Sequence, residues 1–396
     1  MDKYIGFDID SKKTVACVVQ KEKKDIYATI GSDVESMKKF LLSQRETGTK
    51  IHLTYEISGQ AEFLYDNLVG CADYITVSNP PKMTWIYRTS QKNDRIDARK
   101  QAVLLSIDEI PKVHIPPTEI RQWRRAIIHR RNLIRKSTST KNAIRSLLKS
   151  NGMSKLKYGR KWWSKINRQW MMELAAQATV NKIWGIRLSS LLEQLSMFEL
   201  QLKNLTLYLD KKINNHPGGF LLMSVPGIGP RTAEAILAYT DDIKRFRSSK
   251  AYCSYFGLTP KLDESGSSRR LGHITKQDPS VVRWLLCESC WRTIRKSKVI
   301  RDFYHRVMAG QKERRKKALV AVSRKLLYII RSMLLTGELY NESHRTEQPW
   351  SLLFGEVYIF LLSNNNRTCP SESQHSGILR PSGYPEKGIR ISLTPN

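Results

Sequence analysis

The stretch that most constrains this chain is Tyr4-Ile5-Gly6-Phe7-Asp8-Ile9-Asp10, where Ile5, Phe7 and Ile9 alternate with Gly6, Asp8 and Asp10. A period of two marks a half-buried strand, with one apolar face and one face carrying Asp8. A carboxylate in mid-strand is costly to bury unless something pairs with it, and a divalent cation is one such partner. The fold must therefore bring something to Asp8.

The next hundred residues predict an α/β domain over residues 1–110. Ser11-Lys12-Lys13 makes a turn, residues 14–19 a second strand and residues 25–30 a third, giving an antiparallel meander. Ser32 is placed to cap a helix running to about Leu42. Residues 50–55 form a fourth strand with Glu56 at its end, residues 61–68 a short helix, and residues 74–77 a fifth strand. Asn79-Pro80-Pro81 breaks the pattern, and a helix follows from about Asp94 to Ser106. Three antiparallel strands followed by alternating helix and strand is the order of a ribonuclease-H-like fold.

That order places the acids. Glu56 ends the strand that lies beside the first strand in such a fold, and Asp94 and Asp97 share one face of a helix start. Four converging carboxylates can hold two divalent cations roughly 3.5–4 Å apart for phosphoryl transfer, and magnesium suits hard oxygen ligands. Taken singly, Asp94 and Asp97 also suit the positive end of a helix, and Glu56 suits a surface. Their joint placement in one fold favours the metal site. Asp10 could stand in for Asp8 but lies nearer the turn.

Charge defines the partner. A formal net charge of +31 over 396 residues attracts polyanions, with nucleic acid first among them. Pro111, Pro116 and Pro117 open a segment over residues 111–215 in which residues 118–149 are helical and strongly basic. Arg121, Arg124, Arg125, Arg131, Arg135, Lys141 and Arg145 lie there, with no acid after Glu119. Such a helix repels itself unless a polyanion lies along it. Leu188, Leu191, Leu192, Leu195, Phe198, Leu202, Leu205 and Leu209 then recur at helical spacing. They predict a coiled-coil seam for oligomerisation or, equally, packing on the preceding helix.

Residues 216–340 predict a mostly helical domain. Val225-Pro226-Gly227-Ile228-Gly229-Pro230-Arg231-Thr232-Ala233 reads as a helix-hairpin-helix, with Gly227 and Gly229 letting the backbone approach a phosphate. Phe256-Gly257-Leu258-Thr259-Pro260 and a loop lead to Ser265-Gly266-Ser267-Ser268-Arg269-Arg270. On chemistry alone a Ser-Gly pair is a plain turn more often than a nucleophile. Arg269, Arg270 and Lys276 are candidate phosphate contacts, and a further basic stretch runs over residues 291–335. The C-x-x-C of Cys287 and Cys290 stands without a second pair, which favours packed thiols over zinc. Lys3 leads into strand-like alternation and not an apolar run, so a reduced cytoplasmic setting is expected. The apolar run over residues 350–362 is too short to span a bilayer, and the Asn-, Ser-, Pro- and Gly-rich tail over residues 341–396 predicts partial disorder.

Together these segments resemble the DEDD transposases of bacterial insertion sequences, the bridge-RNA-guided recombinase family. Gly6-Phe7-Asp8-Ile9-Asp10, Tyr55-Glu56-Ile57-Ser58-Gly59 and Asn93-Asp94-Arg95-Ile96-Asp97-Ala98 match its RuvC-like domain. Asn142-Ala143-Ile144-Arg145-Ser146-Leu147-Leu148 matches its basic helical segment. Pro226-Gly227-Ile228-Gly229, Phe256-Gly257-Leu258-Thr259-Pro260, Ser265-Gly266 and Ile274-Thr275-Lys276 match its serine-bearing transposase domain. The resemblance implies that Asp8, Glu56, Asp94 and Asp97 bind magnesium and that Ser265 attacks a DNA phosphate. It also implies double-stranded donor and target DNA, a structured guide RNA, assembly as a dimer or tetramer, and a bacterial, nucleoid-associated setting. Asn93 stands where Thr is common, and Gln277-Asp278-Pro279 replaces a glycine-containing turn. Two other readings stay open: a junction-resolving nuclease with the same acids and a water nucleophile, and a non-catalytic nucleic-acid-binding protein.

Overall fold

The computed structural model describes residues 2–83, 93–153, 155–177, 183–262, 272–277 and 279–342 in full, and residues 178, 263–265 and 268–271 by backbone alone. The tail, with the expectations for residues 341–396 beyond 342, lies outside the described residues. The chain divides into two compact units, Met1–Lys211 with Ala235–Asp242, and Lys212–Glu234 with the chain from Ile243 onward.

The first unit is built on a six-stranded sheet. Its strands are β1 (Lys3–Ile9), β2 (Lys13–Val19), β3 (Ile26–Gly31), β4 (Ile51–Glu56), β5 (Tyr74–Ser78) and β6 (Lys112–Val113). Helix α1 (Val34–Ser43) follows β3, α2 (Ala61–Leu68) follows β4, and α3 (Asp94–Ser106) precedes β6. The order is β3-β2-β1-β4-β5-β6, antiparallel over the first three strands and parallel from β1 through β4 to β5. This is the mixed α/β order that the sequence predicts, with β6 added where a Pro-marked linker was expected. Alternation sorts the two faces. Ile5, Phe7, Ala16, Val18, Leu53 and Tyr55 are buried against Met37 and Leu41 of α1 and Leu64 and Leu68 of α2. Val15 and Cys17 point the other way and pack on Ala98 of α3. The cap of α1 is Asp33, which accepts from the Ser36 amide at 2.8 Å. Ser32, expected in that role, instead donates to the Asp10 carbonyl at 2.7 Å and ties down the β1–β2 turn.

Also in this unit are α4 (Thr118–Ser150), α5 (Lys165–Ala178) and α6 (Ile183–Asn214, whose end from Lys212 belongs to the second unit). Ile144, Leu147 and Leu148 of α4, Met171 and Ala175 of α5, and Leu188, Leu192 and Leu195 of α6 form one buried cluster. The first half of the leucine seam is therefore used within the chain, the packing alternative of the two foreseen. Glu199 on α6 accepts from both terminal nitrogens of Arg168 at 2.6 and 2.8 Å and pairs with Lys141 at 3.0 Å. The Arg168 hydrogen bond holds its carboxyl below the usual carboxylate range.

The second unit is mostly helical: α7 (Pro217–Met223), α8 (Pro230–Thr240, whose second half belongs to the first unit), α9 (Ser249–Tyr255), α10 (Ser280–Lys296), α11 (Lys298–Met308) and α12 (Arg315–Thr336). Between α9 and α10 the chain forms an antiparallel hairpin, β7 (Pro260–Ser265) and β8 (Ser268–Ile274), where a loop was expected. Cys287 and Cys290 of α10 both lie against Ser323 of α12. Burial pushes the Cys290 thiol up to about 12, which keeps it neutral and suits a packing role. Among the described residues no helix is long and apolar enough to cross a membrane.

Candidate functional site

In the parallel β1–β4 pair Phe7 lies opposite Tyr55. One residue further along each strand, the same register gives Asp8 and Glu56 neighbouring positions on the face opposite those rings. Helix α3 crosses this face at very close range, and Gly6 is the reason it can. A Cβ at Gly6 would stand 2.2 Å from the Ala98 carbonyl oxygen and 2.9 Å from the Ala102 nitrogen. Only a hydrogen fits there.

Helix α3 starts where the acids are needed. Asn93 caps it, its Oδ1 accepting from the Arg95 amide at 3.0 Å. Asp94 and Asp97 fall in the first turn. One turn beyond Asp97 the same stripe carries Gln101, fully buried, whose Nε2 donates to Glu56 Oε1 at 3.4 Å. Sequence reasoning missed Gln101; its one signal was a polar residue four places after Asp97 on the stripe that α3 buries. Asp10 lies outside the site, exposed in the β1–β2 turn with its amide donating to the Lys13 carbonyl at 3.1 Å.

The donor set suits a hard divalent cation. It offers carboxylates and, at Gln101 Oε1, a buried amide oxygen with no hydrogen-bond partner among the described residues. Asp94 is paired with Lys13 Nζ at 3.1 Å. Among the described residues no three His, Cys, Asp or Glu side chains stand close enough to share one ion.

Some of the cations of the basic helix α4 are engaged within the chain. Arg121 is buried, 5% exposed, and its Nη2 donates to both Asp66 oxygens at 2.6 and 2.7 Å. Arg124 donates to the Ala238 and Tyr239 carbonyls at 2.7 and 3.2 Å, and Arg125 to Glu62 Oε2 at 2.5 Å. Lys141 is held by Glu199, and Arg145 lies over the Trp162 and Trp163 rings. Arg121 is therefore a structural cation and not a phosphate contact. Arg131 is half-exposed, and Arg135 and Arg145 are exposed.

The two glycines of the α7–α8 turn also divide. Gly227 has φ +100°, and a Cβ there would meet the Thr293 nitrogen and Oγ1 at 2.6 Å. Its missing side chain admits the backbone of α10, a packing reason for glycine that the sequence reading did not include. Gly229 faces open space. Lys276 is exposed and left-handed (φ 54°), with its amide donating to the Gly257 carbonyl at 3.1 Å and its carbonyl accepting from Arg283 at 2.8 Å. Ser265 is the last residue of β7, opposite Ser268. Its side chain and those of Arg269 and Arg270 lie outside the described residues.

A mixed α/β unit with acids on its central β1 and β4 strands, followed by a mostly helical unit, fits the two family models that match this chain. Residues 5–152 match a family described as DEDD transposase of the IS110 type, and residues 220–305 match the transposase IS116/IS110/IS902 family. Curated relatives agree. The chain is 26% identical over 235 residues to a probable family 20 transposase of Pseudomonas aeruginosa, covering 59% of this chain and 69% of the relative. It is 25% identical over 295 residues to the transposase for insertion sequence element IS1111A of Coxiella burnetii, covering 72% and 78%. The chain belongs to the IS110 family of DEDD transposases.

Proposed function

We propose that this transposase cuts and rejoins DNA at Asp8, Glu56, Asp94 and Asp97, with Ser265 as the nucleophile. The observation that carries the reading is the parallel β1–β4 register, which runs to Phe7 opposite Tyr55 and so sets Asp8 and Glu56, the next residues of the two strands, at neighbouring positions on the face that α3 covers. The four carboxylates would hold divalent ions, magnesium by ligand chemistry, with Asp94 exchanging Lys13 for the ion. When bound, the metal stabilises charge on the phosphate oxygens. Gln101 orients Glu56, and Gly6 lets α3 close over the edge. The Ser265 hydroxyl attacks phosphorus as one backbone P–O bond breaks, and the departing oxygen leaves as a hydroxyl. The serine ester conserves the bond for rejoining, whereas attack by water would end in a break. A serine hydroxyl is a poor nucleophile without activation. The acids of one protomer therefore act with the serine of another in a dimer or tetramer, on double-stranded donor and target DNA, directed by a structured guide RNA.

Mixing Asp8→Asn and Ser265→Ala chains tests this. Each is expected to be inactive alone and the mixture to recover strand exchange. Full activity of Ser265→Ala would remove the covalent step and leave the water-using nuclease. Inactive mixtures of co-assembled chains would overturn the shared site. RNA that co-purifies with the protein, once sequenced, should share one conserved fold; random fragments would count against a guide.

A further inference from the structure

A cleft of about 570 Å³ opens in the second unit between α10, α11 and the start of α12. Its volume falls in the range of ligand sites, roughly 300–1,000 Å³. Its wall is aromatic. Trp291 is half-buried and meets Tyr304 at 5.9 Å between ring centroids and 67° between planes. Its rim is cationic, with exposed Arg295, Lys312 and Arg315. Arg295 is held on the same helix, its Nε donating to the Trp291 backbone carbonyl at 3.3 Å. No carboxylate lines the cleft among the described residues. Arg315 opens α12 directly from the turn at residues 312–314, its amide donating to the Lys312 carbonyl, which fixes its place on the rim.

We infer that this cleft holds one unstacked nucleotide of a single strand, its base against Trp291 and its phosphate among Arg295, Lys312 and Arg315. An apolar small molecule would leave the three cations without a partner. A regular duplex would offer phosphates but no free base face, because its bases are stacked on one another. A nucleotide turned out of the stack matches both halves of the cleft. The inference rests on the reading of this chain as one that handles nucleic acid, but it concerns binding and not cleavage.

The test uses the full chain and two 12-residue probes, single-stranded DNA carrying one 5-iododeoxyuridine and single-stranded RNA carrying one 5-iodouridine. Ultraviolet cross-linking followed by peptide mapping is expected to mark Trp291 or Tyr304. Whichever probe cross-links and binds more tightly identifies the source of the strand. Trp291→Leu should lose the cross-link and weaken binding roughly tenfold, the scale of one lost stack. Because Trp291 packs on Tyr304, an independent surface variant, Lys312→Gln with Arg315→Gln, is measured as well. It should reduce the slope of log affinity against log salt by about 1.4 for the single strand, with a smaller loss for a duplex of the same length. Cross-links confined to other segments would overturn the inference, as would equal losses for duplex and single strand. A catalytically dead Asp8→Asn chain should behave as wild type in every one of these measurements, so failure of the cleavage reading and failure of this one are distinguishable.

Discussion

Helices α3 and α4 both carry dense charge, yet they use it in opposite ways. On α3 the acids lie at the start of a helix pressed onto a sheet through Gly6, with Gln101 buried behind them. On α4 several arginines reach back to carboxylates and carbonyls of their own chain, and Arg121 is almost wholly buried in doing so. A short carboxylate stays where its backbone puts it. A guanidinium on a long stem has several ångströms of reach and settles on the nearest acceptor. Position along the chain therefore says more about an Asp than about an Arg.

The contrast can be broken most directly at Asp8. Asp8→Asn should lower strand exchange by about a thousandfold or more if the carboxylate stabilises charge in the transition state, with affinity for DNA within about twofold because one charge among many has changed. A modest loss of activity would remove the acidic edge from the chemistry. Next comes Gly6→Ala, expected to cost about 1–3 kcal/mol through overpacking against α3. Thermal unfolding reads the loss, and an unchanged midpoint would mean that α3 does not need that approach.

The α4 side is sharpened by a pair of substitutions. Arg121→Ala should lower stability by about 1–3 kcal/mol, since Asp66 and the Glu62 carbonyl lose their donor, while the salt slope of DNA binding stays put. Arg135→Gln should do the reverse, leaving stability within about 0.5 kcal/mol and reducing that slope by about 0.9 if the residue meets one phosphate. Equal behaviour of the two variants would erase the distinction between structural and nucleic-acid-facing cations. The smallest effect concerns Glu199. Its carboxyl is lowered in the folded chain, so its pairing stabilises the protein above the ordinary carboxylate range and is lost as pH falls through the lowered value. Glu199→Gln should remove that part of the acid sensitivity, worth less than about 1 kcal/mol, in unfolding curves compared at neutral and acidic pH.

Much of the first unit was legible because its strands alternate cleanly and its helices carry end signals. The boundaries of α2 and α3 coincide with the expected ones, and β1, β2, β4 and β5 lie within a residue or so. Strand β6 was invisible because two residues after a proline have no pattern of their own; pairing with Val77 and Ser78 makes them a strand. The β7–β8 hairpin was hidden by its polar, glycine-containing composition, which reads as loop until cross-strand bonds are formed. Asp33 outcompetes Ser32 as a cap because Ser32 is already engaged with Asp10. Gln101, the inward Arg121 and the packing role of Gly227 all depend on contacts with residues distant in sequence, and local pattern carries no record of those. For the acids, the sequence indicated which strands and helix would carry them. It did not indicate that Lys13 holds Asp94.

The sheet order has a consequence for biosynthesis. Strand β1 leaves the ribosome first, yet its parallel partner β4 is made some fifty residues later and α3 some ninety later. Parallel pairing has to wait for a crossover and closes slowly. At roughly 5–20 residues per second, the nascent chain spends several seconds with the meander β1–β3 formed and the Gly6 face bare. During that interval the only cover for the strand bearing Asp8 is whatever else binds an exposed sheet edge. A ribosome stalled before residue 94 would release a fragment with Asp8 and Glu56 but without the helix that closes over them, a species prone to aggregate and unable to cut.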